Sequence, residues 1–258
     1  MNASLQRSLL RIYGALRRSG FLDRGPGAWL YETAYDLYKA RLEAGPVSRL
    51  KSFVKPGGWV IDVGAHIGFF SLRFARWVSE GGRVIACEPD RDNRERLCRR
   101  LLRAHANQVV CVEDAAIGEA DGRARFVLCP DHPGNHHLSS EGIDVPLRCI
   151  DSLVSEQQCS AVNLIKIDVQ GSELRVIKGA IGTLSRYRPA LLVEIDPVAM
   201  KQSGTTAAEL VQQLYELGYA SFGPLPTLGE SPDSLEEALA RISRLGHKYA
   251  DFLFTPLS

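Results

Sequence analysis

The stretch Trp59-Val60-Ile61-Asp62-Val63-Gly64-Ala65-His66-Ile67-Gly68 constrains this chain more than any other part of it. A run of β-forming residues ends in an acid and a glycine, a second glycine follows four positions later, and a helical apolar pattern begins at Phe69. That pattern spells a strand, a tight turn and a helix start. Nucleotide-like molecules bind at such turns, so Asp62, Gly64, Ala65, His66 and Gly68 become candidate ligand-binding residues. The missing side chain at Gly64 is expected to admit backbone N–H groups close to a ligand. At Gly68 it should let the helix pack closely on the strand.

The spelling decides between ligands. A pyrophosphate turn reads G-x-G-x-x-G, whereas Asp62-x-Gly64-x-x-x-Gly68 puts a carboxylate where phosphate would be repelled. An NAD-dependent oxidoreductase therefore fits poorly. S-adenosylmethionine fits better, because it carries an ammonium and a cationic sulfur and has no phosphate.

Beyond the turn, strands are expected at 83–87, 109–112, 123–128, 145–150, 162–167, 190–195, 219–222 and 252–254, with helices at 69–80, 90–104, 172–184 and 205–217. Such alternation indicates an α/β fold with a doubly wound, mostly parallel sheet. Two helical patterns precede it, one at 3–18 with Leu5, Leu9, Ile12, Tyr13 and Leu16 between arginines, and one at 29–43 with Trp29, Thr33, Leu37 and Tyr38 on one side. These divide the chain into an N-terminal helical extension, 1–50, and a ligand-binding domain, 51–258. The first helix could touch an anionic membrane or pack on the domain or a partner, and the pair offers a surface for a homo-oligomer.

A net charge of +1 over 258 residues provides no global field for gripping a polyanion, so no nucleic acid partner is expected. The arginine-dense segment 90–104 interleaves Asp90, Asp92 and Glu95 and lacks stacking aromatics, which favours a solvated face over an RNA-binding one. Six cysteines form no C-x-x-C pair, and no apolar run reaches the length of a membrane span. A reducing, cytoplasmic setting is the expectation.

Acids recur at strand ends. Glu88 sits where a carboxylate can accept from both hydroxyls of an adenosine ribose, although it could equally be an acid favoured by the dipole of the next helix. One strand further, Asp114 could accept from the adenine amino group, with Ala115 and Ala116 leaving room for the ring; the other reading is a turn or cap residue. Asp168 ends the apolar run 162–167 beside the ligand-binding strand and is the first candidate for a catalytic base, with Glu173 second. As alternatives, Asp168 could cap the next helix and Glu173 could be its dipole-favoured first-turn acid. The loop 129–144 holds His132, His136 and His137 and reads as zinc site or substrate-facing lid; the lid is preferred, with His137 a further candidate base. Glu194 and Asp196 could join Asp168 around Mg²⁺ or simply line a polar pocket.

The spelling of 61–68, then Glu88-Pro89, and above all Leu164-Ile165-Lys166-Ile167-Asp168-Val169-Gln170-Gly171-Ser172-Glu173 running into Val176-Ile177-Lys178-Gly179-Ala180, resembles the FkbM family of S-adenosylmethionine-dependent methyltransferases over roughly 57–196. The resemblance implies a class I methyltransferase, Rossmann-like fold and methyl transfer to a hydroxyl oxygen of a small metabolite, a sugar or a polyketide-type acceptor. One letter departs from the family, which usually has Glu where this chain has Gln170. An amide cannot act as base. A non-catalytic S-adenosylmethionine-binding or scaffold protein is the second expectation.

Overall fold

β1 (Trp59–Val63) is buried along its whole length, and a strand with no solvent face belongs at the centre of a sheet covered on both sides. It pairs in parallel with β2 (Val84–Cys87) on one flank and β8 (Val162–Ile167) on the other. The sheet extends outward through β3 (Val110–Glu113) beyond β2, and through β9 (Ala190–Ile195), β11 (Ala250–Pro256) and β10 (Tyr219–Pro224) beyond β8. The order is β3-β2-β1-β8-β9-β11-β10, and only β11 runs antiparallel to its neighbours. These features come from a computed structural model that describes residues 25–40, 46–129 and 136–257. The expected helix at 3–18 lies outside the described residues.

Alternation along the strands splits the core in two. Ile61, Val63, Ile85, Ile165, Ile167 and Val193 face one apolar cluster, whose other wall includes the helices Ile150–Glu156, Ile181–Tyr187 and Ala207–Glu216. Val60, Val84, Ala86, Leu164 and Leu192 face the second cluster, closed by Phe69, Phe70 and Phe74 of the helix Phe69–Ala75 and by Leu97 and Leu101 of the helix Arg91–Arg103. Strand order reverses between β1 and β8. Their carboxyl ends therefore open the crevice in which sheets of this kind bind ligands.

Between β3 and the helix Ile150–Glu156 the chain builds a second sheet, β4 (Ala116–Ile117), β5 (Gly122–Val127), β6 (His137–Ser139) and β7 (Ile143–Arg148), in the order β4-β7-β5-β6. Its buried apolar cluster is Ala116, Phe126 and Val145, with Leu138 and Leu147 packed against them. Several expected boundaries move. The helix expected over 172–184 is two, Glu173–Lys178 and Ile181–Tyr187, because a Cβ at the intervening Gly179 would lie 2.1 Å from the Gly118 carbonyl oxygen and the chain must stay thin there. The helix begun at Phe69 ends at Ala75 instead of running to 80. Helices at Pro197–Gln202 and Leu235–Ser243 are additional.

The helix expected over 29–43 is described as Gly25–Tyr38. Its apolar side faces outward, with Trp29 61% and Leu37 50% exposed, while Gly27, Ala28 and Glu32 are buried. The cause lies in the arginine-rich helix. Arg100 and Arg103 pair with Glu32, Arg100 pairs with Asp36 at 2.5 Å, and Arg96 stacks over the Tyr31 ring. Arg96 and Arg100 are thus buried anchors and not a solvated face, whereas Arg91 and Arg99 on the same helix do meet solvent. The 3-10 turn Val47–Phe53 spans the junction expected at 50/51, and its Val47 and Leu50 belong to the second core cluster.

Candidate active site

The crevice is organised by Lys166, the one charged residue of β8. Asp62 on β1 and Lys166 on β8 are register partners, so the two charges share one face of the sheet and meet in its interior. Lys166 is 2% exposed and Asp62 fully buried. The Lys166 ammonium lies 3.5 Å from Asp62 Oδ1 and 3.3 Å from Asp168 Oδ2, and it donates to the carbonyls of Gly64 at 2.9 Å and Val63 at 3.3 Å. Burial alone would lower its pKa, but Asp168 and Asp62 outweigh that and hold it above its ordinary value. Ser71 donates to Asp62 Oδ2 at 2.6 Å. Asp62 therefore serves the turn from beneath, in place of the direct ligand contact expected of it. A lone Lys inside an apolar strand, two residues before an Asp, was the available signal, because a buried ammonium requires carboxylate partners.

The turn itself departs from expectation in the same way. The N–H groups of Gly64 and Ala65 both donate to the Cys87 carbonyl, and that of Gly68 donates to Ala65, so none of these is turned to a ligand. Gly64 has φ +75° and a Cβ there would stand 1.9 Å from the Asp168 carbonyl oxygen: the glycine exists so that the ends of β1 and β8 can touch. At Gly68 the close neighbour is Leu97, on the helix Arg91–Arg103, and not the strand. His66 donates its N–H to Glu88 Oε2 at 2.7 Å, and Asp90 donates to Oε1 at 3.0 Å. Glu88 thus bridges the β1 turn and the end of β2, and the Asn93 side chain adds a further hydrogen bond to it. Its burial pushes the carboxyl up to about 7, against those backbone hydrogen bonds.

The His66 side chain packs on Tyr35 at 5.0 Å between ring centroids, and both its nitrogens are buried without a hydrogen-bond partner. Burial, aided by the Lys39 charge, pushes its pKa down to about 3, so the imidazole is neutral. Asp114 lies at the sheet edge in a 2.7 Å ion pair with Arg94, and Ala115 and Ala116 are buried.

Past β8, Asp168 meets Lys166 and, at 3.9 Å, Lys39 from the N-terminal helical segment. Burial would raise its carboxyl, yet these ammonium groups and a hydrogen bond with Glu194 hold it well below the usual carboxylate range. Burial and the neighbouring Asp168 charge drive Glu194 well above that range, so the proton of the pair sits on Glu194. Gln170 donates from Nε2 to Glu194 Oε2 at 2.7 Å and more weakly to Asp168 Oδ1 at 3.4 Å. Glu173 accepts from the N–H groups of Gly171 and Val169 through Oε1, which makes it the clamp of the 168–172 turn in this fold. Asp196 caps the helix Pro197–Gln202, its Oδ1 accepting from the Val198 and Ala199 N–H groups. Among the described residues no group of three or more His, Cys, Asp or Glu side chains has metal-holding geometry.

Beside Gln170 opens a groove of 1350 Å³ between the small sheet and the segments at 170–175 and 196–204. His137 stands on its wall. His136, by contrast, is buried, accepts from the Cys129 N–H through Nδ1 at 2.9 Å, and rests against Phe126. His132 lies outside the described residues.

Residues 62–221 match the model of the Methyltransferase FkbM domain. The chain belongs to this family. The match starts at Asp62 and ends in β10, so it spans the knot beneath the turn, Glu88, the small sheet and Gln170. The seven-stranded order described above is the class I methyltransferase fold. Among curated relatives, this FkbM-family chain is 31% identical to the hexuronic acid methyltransferase AglP of Haloferax volcanii, over 52% of the chain and 54% of that protein. It is 25% identical to the methyltransferase SdnD of Sordaria araneosa over 47% of the chain and 60% of that protein, and 29% identical to the AMB antimetabolite synthetase AmbE of Pseudomonas aeruginosa over 71% of the chain and 10% of that protein. The chain thus aligns with between a tenth and three fifths of these relatives. A solved FkbM methyltransferase from Methylobacillus flagellatus superposes with a TM-score of 0.47 at 21% identity, over 78% of this chain and 44% of that one. No described helix is long and apolar enough to cross a membrane.

Proposed function

We propose that this chain is an S-adenosylmethionine-dependent O-methyltransferase acting on a hydroxyl of a small polar metabolite or glycan-type acceptor, with 51–258 as its methyltransferase domain and 1–50 as a helical extension. The observation that carries the cofactor is Glu88, a buried carboxylate at the end of β2 that faces the β1 turn and meets only hydrogen-bond donors there, the N–H groups of His66 and Asp90 and the Asn93 side chain. Ribose hydroxyls are donors that fit it. The unpartnered nitrogens of His66 add polar capacity at the same place, and among the described residues no lysine or arginine side chain pairs with the Glu88 carboxylate. The hexuronic acid methyltransferase among the relatives supports a hydroxylated acceptor.

Bound there, S-adenosylmethionine supplies an electrophilic methyl group on cationic sulfur, which an acceptor oxygen attacks in line. The protein's share is placement and charge. Asp168, ionised because Lys166 holds it so, sets a fixed negative charge at the switch point. An O-methylated oxygen that still carries its proton is far more acidic than a carboxylic acid, so Asp168 can take that proton despite its depressed pKa.

Calorimetric titration with S-adenosylmethionine and S-adenosylhomocysteine tests the reading. Wild type should bind both, and Glu88→Ala should bind at least about tenfold more weakly, the worth of a charge-assisted hydrogen bond. Equal binding by the two proteins would remove Glu88 from the site. Tight binding with no methyl transfer to any hydroxyl would favour the scaffold reading.

A further inference from the structure

Gln170 is the residue common to the buried acid cluster and the open groove. Its backbone has φ +52°, a left-handed conformation that costs a non-glycine side chain and persists only where the surroundings enforce it. Here the side chain is tied to the acid cluster. Asp168 Oδ1 and Glu194 Oε2 both turn toward the same atom of the Gln170 side chain, at 3.4 Å and 2.7 Å. The only group of Gln170 able to donate is its amide nitrogen, and Nε2 does so to both. A planar amide whose nitrogen is committed has its carbonyl direction settled as well. We propose that Gln170 Oε1 is the hydrogen-bond acceptor that orients the hydroxyl to be methylated, and that the groove is the acceptor site for a polar, polyhydroxylated molecule of saccharide type. The inference rests on the methyltransferase reading above and assigns its second substrate.

The walls support that class. Thirteen of the 22 lining residues carry polar side chains, and none is Phe, Tyr or Trp, so the groove offers a flat phenol no large apolar ring to stack on. Lining charges cancel: Arg123, Arg125 and Arg175 against Glu119, Asp121 and Asp196. A strongly charged acceptor is not demanded by this balance, whereas many hydrogen-bonding hydroxyls are well served. Ser172 lines the same wall, 1% exposed, and its hydroxyl neither caps the helix that follows it nor bonds to anything else. At 1350 Å³ the groove exceeds the usual span of small-molecule sites, about 300–1,000 Å³, and so suits a chain of sugars better than a single ring.

A glutamate at this position would present a charged oxygen beside two further carboxyl groups, whereas the amide presents a neutral one and leaves the cluster with a single ionised member. In the transfer the acceptor oxygen forms its bond to the methyl carbon as the carbon–sulfur bond breaks with its electron pair on sulfur. The hydroxyl proton, which an amide cannot keep, leaves to Asp168 or to solvent in the groove.

The test uses the full chain, radiolabelled S-adenosylmethionine and three probes, p-nitrophenyl β-D-glucuronide, maltotriose and catechol. Calorimetry first establishes cofactor binding; if wild type binds none, the methyltransferase reading fails and carries this inference with it. With cofactor bound, transfer should reach a saccharide probe and not catechol. Gln170→Asn suits the left-handed backbone at least as well as Gln and draws the carbonyl back by one methylene. It should raise the acceptor KM about tenfold, the value of one hydrogen bond, with cofactor affinity unchanged. Gln170→Glu should make the rate depend on pH across the range in which the added carboxyl ionises. Ala124→Trp, on the groove wall, should abolish transfer and spare cofactor binding. Transfer to catechol alone, no transfer to either saccharide with cofactor bound, or unchanged acceptor KM in Gln170→Asn and Ala124→Trp would overturn the assignment.

Discussion

The turn after β1 is held from three directions: by Lys166 beneath it, by Glu88 on its outer side and by the Cys87 carbonyl along β2. The groove wall, some sixty residues further on, rests on a sheet whose buried apolar residues are Ala116, Phe126 and Val145. One region is over-determined by the central sheet, and the other leans on a thin core of its own. The difference separates two tasks. On the proposed assignment, a cofactor site at the turn gains from rigidity, whereas an acceptor wall on the small sheet can change residue by residue without disturbing the main sheet.

The largest effect should come from removing the support under the turn. Lys166→Met strands Asp62 in the interior beside Asp168, and breaking a buried pair in this way costs about 3–5 kcal/mol. Denaturant unfolding reads it directly, and a loss below about 1 kcal/mol would mean that the turn does not depend on Lys166. Phe126→Ala, in the thin core, should cost about 3 kcal/mol, near the lower end for a buried aromatic. It should also damage acceptor turnover while leaving cofactor affinity intact. Loss of both together would show that the two regions are one.

Glu88→Gln sharpens the contrast by pH. The wild-type carboxyl ionises at about 7, so cofactor affinity should climb as pH rises through that value. The variant should show no such climb and should bind about tenfold more weakly at pH 8. A parallel pH profile in both proteins would assign the titration elsewhere. A second pH dependence, read in stability and not in binding, concerns Glu173, whose carboxyl burial raises from 4.5 to about 7. Between those values the folded protein keeps a proton that the unfolded chain has released, so stability falls as pH rises across the window and levels off above it. Glu173→Gln retains an oxygen for the Gly171 and Val169 N–H groups and has no charge to desolvate. It should match wild type near pH 4 and exceed it at pH 8; urea midpoints at the two values decide the matter.

Much of this was written along the chain. The unbroken apolar spelling of β1, the acid and glycines after it, and the alternation of strand with helix specify a buried parallel strand at the middle of a doubly wound sheet, because periodicity and turn chemistry act over a few neighbouring residues. Glu88 was legible for the same reason, since its place depends only on where a strand stops. The ion pair of Asp62 and Lys166 was not, because it requires the register of two strands about a hundred residues apart. Periodicity showed that the helix Gly25–Tyr38 has an apolar side but not that this side would face solvent; Glu32 and the arginines of a helix far along the chain decided that. The same holds for Gly64, whose missing Cβ is occupied by the backbone of Asp168, and for Gln170, whose amide nitrogen is held by Glu194. Local sequence specifies which elements form and where they end. Only the packed structure brings distant charges and backbones within hydrogen-bond reach, and there the electrostatics of this site are set.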